Sequence, residues 1–366
     1  MIYLDSAATT KVLPCAAKAA FDAMTETFSN PSSLHSFGYE AEKIREDARK
    51  TVAGAAGVLP EEIIFTSGGT GADNLAIFGY LQNKKGGRII TSAYEHPAVL
   101  ECFKALATKF EVVYLKPENG IITPDSLKKA LTADTQLVSI MHVNNETGAV
   151  NPIKDLAKIT KDYSDAVFHT DAVQGFLKEK GVYSFCDMAS FSAHKTGAPK
   201  GLGALYVKKG VRLLPTVYGG GQERGLAPGP EPTPLIAALA AAAKAPVEEA
   251  KLNELREYAL ARLAAVCPRD EIVSPGEAGG IFALTVRGLR GETVMHALTQ
   301  RGIYISTGSA CGKGKPSHVF GSLPLERDAL AGVMRVSVDA ATTTADLDRF
   351  AATLAEVIEE LRPKKN

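Results

Sequence analysis

The chain of 366 residues has no tryptophan, no excess of either charge and no long apolar run. Lys plus Arg and Asp plus Glu number 41 each, which removes the electrostatic case for direct nucleic-acid binding or for an acidic membrane surface. The longest apolar stretch, around Leu235–Ala243, is too short to span a bilayer. The opening MIYLDSAATT lacks the basic and apolar regions of a signal peptide, so the Asn145-Glu146-Thr147 sequon reads as chance. Cys15, Cys102, Cys186, Cys267 and Cys311 are odd in number and scattered, with no Cys-x-x-Cys pair. That excludes the usual zinc spacings and argues against a disulfide framework, so the expected setting is a reducing cytoplasm. The seven histidines form no ligand cluster, and no metal is expected.

What is present is an alternation. Apolar, β-branched runs at Ile63–Phe65, Arg88–Thr91, Val112–Leu115, Leu137–Met141, Val167–Thr170, Met188–Ser192 and Gly203–Val207 read as strands. Helix-like stretches at Ala72–Leu81, Pro97–Thr108, Pro124–Leu131 and Pro152–Asp162 separate most of them. Such an order predicts an α/β fold with a mostly parallel sheet covered on both faces. Ahead of it lie a strand at Ile2–Leu4 and helices at Lys11–Thr25 and Tyr39–Ala56. Past the Gly/Pro-rich Tyr218–Pro234 the pattern predicts a long Ala-rich helix from about Leu235. Short strands (Gly280–Val286, Val333–Val338) and helices (Glu292–Gln300, Thr344–Leu361) follow, as in a smaller α+β domain.

In open α/β sheets ligands sit beyond the carboxyl ends of the strands, so the polar residues there are the candidates. Thr66-Ser67-Gly68-Gly69-Thr70-Gly71 leads straight into a helix, as a simple turn or a phosphate cradle. His96 follows the strand at Arg88, as a loop residue or a ring that stacks on a ligand. HVNNETG follows Leu137–Met141. Asp171 ends Val167–Thr170 as a helix cap or an ion-pair partner, with Gln174 three residues on. In SFSAHKTGAPKG, Lys195 sits where a strand gives way to a turn that extends neither strand nor helix. A lysine held there is where a Schiff base with a cofactor aldehyde is built; the alternative is a solvated surface lysine. Phosphate cradle, imidazole, Asn, Asp and Lys at successive strand ends together fit pyridoxal 5'-phosphate.

The ordered motifs YLDSAATT, NPSSLHSFG, FTSGGTGADNLAI, YEHPAV, MHVNNETGAV, HTDAVQ, SFSAHKTGAPKG, GGGQERG, GSAC and MRVS closely resemble the cysteine desulfurases of the class V aminotransferase group, from Tyr3 to about Phe350. The resemblance implies the type I fold of pyridoxal-phosphate-dependent transferases. A large domain would span 12–250, and a small α+β domain 1–11 and 251–366. It implies that Lys195 bonds the cofactor aldehyde, His96 stacks on its ring and moves protons, Asp171 holds the ring nitrogen protonated, and Gln174 meets the phenolic oxygen. Gly69 would belong to the phosphate turn, and Thr70, Ser192 and His194 would bind the phosphate. Asn145 would lie near substrate and cofactor, Arg335 would pair with the substrate carboxylate, and Cys311 would be the nucleophile on a mobile loop. L-cysteine would yield alanine and a persulfide on Cys311, passed to an acceptor protein such as an iron–sulfur scaffold, by a homodimer.

Polar, locally basic surroundings (STGSACGKGKP) suit a reactive thiol, whereas the other four cysteines match no motif and read as structural. Three departures stand out. Pro230 occupies the place of a Thr that in the family reaches the partner's cofactor phosphate, Ala227 replaces a cation, and Gly71 replaces an acidic residue. The segment from Cys311 to Pro316 is also shorter than in the scaffold-delivering branch. These keep open another class V enzyme, such as a selenocysteine lyase or an aminotransferase, and a non-catalytic partner of the same fold.

Overall fold

The computed structural model describes residues 1–179, 181, 183–266, 271–273, 280–307 and 317–362. Its strands are β1 (Ile2–Tyr3), β2 (Ile63–Thr66), β3 (Arg88–Ser92), β4 (Glu111–Leu115), β5 (Thr135–Ser139), β6 (Val167–Asp171), β7 (Met188–Ser192), β8 (Gly203–Val207), β9 (Ile281–Thr285), β10 (Ile303–Tyr304) and β11 (Val333–Ser337). Seven of them form one sheet in the order β2-β8-β7-β6-β5-β3-β4. It is mostly parallel, and β8 alone runs against both of its neighbours.

The alternation of side chains along each strand fixes which face they serve. Ile63, Phe65, Ile90 and Val138 join one apolar cluster; Ile64, Ile89 and Leu137 join the other. The first face is covered by the helix pair Pro14–Thr25 and Thr233–Ala243, whose Ala16, Ala20, Ala238 and Ala242 allow close approach. Helices Gly69–Leu81 and Pro97–Leu106 cover the second. Buried on both faces, the strands carry near-continuous apolar runs, which is why they were legible in sequence.

A separate core gathers Ile2 and Leu4 with Leu252, Phe282, Leu298, Met334, Val336, Phe350 and Leu354. Here β9 and β11 pair antiparallel and β1 pairs β10 in parallel. Bridges Asp5–Ser337 and Ser306–Arg335 tie the two pairs together. On these two cores we propose the division into 12–250 and 1–11 with 251–366. Among the described residues no helix is long and apolar enough to cross a membrane.

The differences from expectation are local. The first helix starts at Pro14, not Lys11, because Pro takes the first helical position readily. The Ala-rich helix ends at Ala243, and Glu249–Leu263 is a second helix; Pro246 between them cannot continue the first. Two-residue β10 and the short helices His318–Gly321 and Arg327–Ala331 were not anticipated, being too short to show a period.

Candidate active site

Five strands of the large sheet (β2, β3, β5, β6 and β7) deliver polar residues beyond their carboxyl ends to one cavity of about 630 Å³. From the other core, the Asp5–Ala8 turn, Ser306, Thr307 and Arg335 of β11 close it. Of the sequence candidates, Lys195, Gly69, Thr70, His96, Asn145, Asp171, Gln174, Ser192, His194 and Arg335 all line this cavity. Cys311 lies outside the described residues. The described residues on either side of its segment, Thr307 and Ser317, both line the cavity.

Lys195 ends a single 3-10 turn after β7, and its Nζ donates to the carbonyls of Ala7 (2.5 Å) and Ala8 (2.8 Å). Burial, then the Arg335 charge, bring its pKa down to about 8, against the pull of Asp5 and Asp171. The amine is thus partly neutral near physiological pH, as a nucleophile or base requires. His96 caps helix Pro97–Leu106, its Nδ1 accepting the Ala98 N–H at 3.1 Å. Burial lowers its pKa, so the ring is neutral and carries its proton on Nε2. Asp171 closes β6, with Oδ1 accepting from the Val173 N–H at 2.9 Å. Burial raises its pKa, while His96 and Lys195 lower it; among the described residues no cation makes a direct ion pair with this carboxylate.

At the far end the helix Gly69–Leu81 points its N-terminus into the cavity. A Cβ on Gly69 would come within 2.8 Å of Val173 Cγ2 and 3.3 Å of Ser192 Cβ, so glycine lets this helix start pack closely against both. An adjoining hollow of about 490 Å³ shares Gly69, Thr70, Ser192 and His194 and adds Lys200. His194 Nδ1 lies 3.2 Å from Thr9 Oγ1, and burial with nearby Lys195 brings its pKa down to about 4, keeping it neutral.

Arg335 donates to Asp5 Oδ1 (2.6 Å) and to the Asn145 carbonyl (2.9 Å); among the described residues its Nε is buried without a hydrogen-bond partner, as is Asn145 Oδ1. Several cavity residues had escaped sequence reasoning. Asp5 was read only as part of a turn, yet it orients Arg335. Glu95, fully buried behind the wall beside His96, accepts from Ser92 Oγ (2.5 Å) and the Met141 N–H (3.0 Å), and burial raises its pKa to about 8. Glu146, raised by burial to about 7, and Asp73, raised well above the usual carboxylate range, also line the cavity. Adjacency to called residues (Glu95 to His96, Glu146 to Asn145) was the available signal; His318, whose Nε2 meets the Glu95 carbonyl at 2.8 Å, carried none.

The departing stretch 226–232 contributes nothing to the cavity wall. Ala227 packs against the apolar face, and Glu231 pairs with Arg45 at 2.6 Å. Of the remaining cysteines, Cys102 and Cys186 are buried as expected, whereas Cys15 is exposed. It follows Pro14 on a helix whose buried face is Ala16, Ala20 and Ala23. Cys267 lies outside the described residues.

The set fits pyridoxal phosphate: a buried amine with a lowered pKa, a buried carboxylate with no direct ion pair among the described residues, a neutral imidazole and a helix N-terminus opened by glycine surround one space. The family model for class V aminotransferases matches residues 2–350. A "NifS/IcsS protein homolog" of Lactobacillus delbrueckii subsp. bulgaricus is 41% identical, over 98% of this chain and 97% of the relative. "Cysteine desulfurase IscS" of Dictyoglomus turgidum is 40% identical, over 99% and 95%. A solved "NIFS-like protein" superposes with a TM-score of 0.92 at 34% identity, covering 98% of this chain and 100% of that one. The chain therefore belongs to the class V aminotransferases, a pyridoxal-phosphate-dependent family, and within it to the cysteine desulfurases.

Proposed function

We propose that this cavity removes sulfur from L-cysteine, giving L-alanine and a persulfide on Cys311. Lys195, Asp171, His96 and Gln174 would hold pyridoxal phosphate, with Gly69, Thr70, Ser192 and His194 around its phosphate. When bound, that group supplies an electron sink for the carbanion formed at the substrate Cα. Asp171 would hold the protonated ring nitrogen, adding a directly paired cation for its buried carboxylate. Arg335 takes the substrate carboxylate through its planar guanidinium, held in orientation by Asp5 and Asn145. Lys195, partly neutral, accepts the Cα proton, and the Nε2–H of His96 serves proton transfer on the substrate side.

Cys311, as thiolate, attacks the substrate sulfur. A sulfur–sulfur bond forms, the carbon–sulfur bond breaks with its electron pair remaining on the alanine carbon, and a proton completes the methyl group. The persulfide then passes to an acceptor protein. A homodimer is part of this reading, with the phosphate held chiefly from within one chain, since Pro230 has no hydroxyl or N–H to offer a partner.

One observation carries the proposal: Lys195, His96, Asp171 and Arg335 come from four separate stretches to the cavity where the Cys311 segment begins and ends. The test is alanine production from L-cysteine by purified holoenzyme and by Cys311→Ala. Loss of alanine and persulfide in the variant, with its visible cofactor band intact, is expected. Undiminished alanine formation would favour a reaction in which Cys311 has no part.

A further inference from the structure

Lys178 lies one helical turn beyond Gln174, on the loop that follows β6, and the reaction as described makes no use of it. Its Nζ donates to Gln174 Oε1 at 2.7 Å, while Gln174 Nε2 donates to the Ala7 carbonyl at 2.8 Å. The same carbonyl accepts Lys195 Nζ. These partners leave the Gln174 amide one orientation. Reversed, its oxygen would face the Ala7 carbonyl oxygen, a repulsive contact. Gln174 lines the cavity, and among the described residues its second amide hydrogen has no partner. A glutamine with both ends free can offer a ligand either an oxygen or an N–H. With its oxygen on Lys178 and one amide hydrogen on Ala7, this one has its remaining N–H to offer the cavity.

We propose that Lys178 is a positioning residue that locks Gln174 as a hydrogen-bond donor toward the cavity, selecting a ligand with an anionic oxygen at that point. The inference rests on the cofactor reading above, in which that acceptor is the ionised ring oxygen of pyridoxal phosphate. A bond from a neutral donor to a charged acceptor is among the stronger ones, so its loss should be visible in binding.

The experiment titrates cofactor-free protein with pyridoxal 5'-phosphate, recording affinity and, at one fixed pH, the balance between the visible and near-ultraviolet bands. Lys178→Met is expected to weaken binding about tenfold and to shift the band balance. Lys178→Arg, which keeps a donor for Gln174, restores both. Gln174→Glu keeps an oxygen for Lys178 but has no hydrogen to give, and should reproduce the shift with Lys178 in place. Thermal unfolding checks that each variant is folded; if Lys178→Met does not fold, Gln174→Glu decides. Wild-type affinity and band balance in folded Lys178→Met, or in Gln174→Glu, would overturn the inference alone. A wild-type protein that takes up no pyridoxal phosphate would overturn the cofactor reading beneath it.

Discussion

Two buried polar clusters sit in this molecule, and they are built on opposite principles. Around Arg49 most charges are paired, though among the described residues Glu231 Oε2 has no hydrogen-bond partner and Arg224 donates only to backbone carbonyls. The Arg49 guanidinium meets Glu223 at 2.6 and 2.8 Å and the Ile63 carbonyl at 2.9 Å, and Glu223 also accepts the Phe65 N–H. Arg45 meets Glu231 beside it. Backbone strain is tolerated here, with Glu223 and Arg224 both at positive φ, because the ion pairs over-determine the loop. In the cavity, by contrast, buried groups are left incomplete. Among the described residues Arg335 Nε, Asn145 Oδ1, Glu146 Oε2 and Asp73 Oδ1 have no hydrogen-bond partner, and Lys195 leans only on carbonyls. Burial of charge alone therefore does not mark a site. Charge buried without its complement does, since the missing partner is what a ligand supplies.

Variants on the two sides should separate stability from activity in opposite directions. The largest effect is expected from Lys195→Ala, with alanine production falling by about 10²–10⁴-fold. The same change should stabilise the cofactor-free protein at neutral pH. The folded pKa of Lys195, about 8, lies below its ordinary 10.5, so across that window the unfolded chain holds more protons and wild-type stability climbs with pH. Below pH 8 the burial cost is present in full; removing the lysine lifts it, and the advantage should fade as pH rises from 8 to 10.5. Urea unfolding at pH 7 and pH 10 checks this, and a variant no more stable at pH 7 would refute it.

Arg49→Met inverts the pattern. It strands Glu223 in the interior and should cost about 3–5 kcal/mol in urea unfolding, while activity per folded molecule stays near wild type. A mild loss of stability would mean that the pair is less buried in solution. Arg335→Lys should raise the KM for L-cysteine about tenfold with a smaller change in kcat, because one ammonium cannot hold Asp5, Asn145 and a carboxylate in a planar fork. Equal KM values would remove Arg335 from substrate binding. Smallest of all, Asn119→Ala, at a positive-φ turn position before Gly120, should cost about 1 kcal/mol of stability and leave activity untouched, marking the baseline for strain without function.

Much of the fold was readable from sequence because the central strands are buried on both faces and therefore announce themselves as apolar runs. Met188–Ser192 and Gly203–Val207 coincide with β7 and β8 to the residue. The smaller core was harder, because β10 is only two residues long and gains its partner β1 only across about 300 positions of chain. For the site, residues such as Lys195, His96 and Asp171 were legible because they end strands, where chemistry and periodicity coincide. Asp5, Asp73, Glu95 and His318 were not, because their significance lies in what they face.

By itself the sequence determined the alternating order, the two faces of the sheet, the strand-end candidates and, through its ordered motifs, the family. Tertiary structure decided which candidates meet. It placed Asp5 on Arg335, hung Lys195 and Gln174 on one carbonyl of the N-terminal turn, and set Lys178 behind that glutamine. The physical reason is one of range. Periodicity and turn chemistry act between residues a few positions apart, whereas pKa values and hydrogen-bond complementarity depend on neighbours in space that packing alone selects.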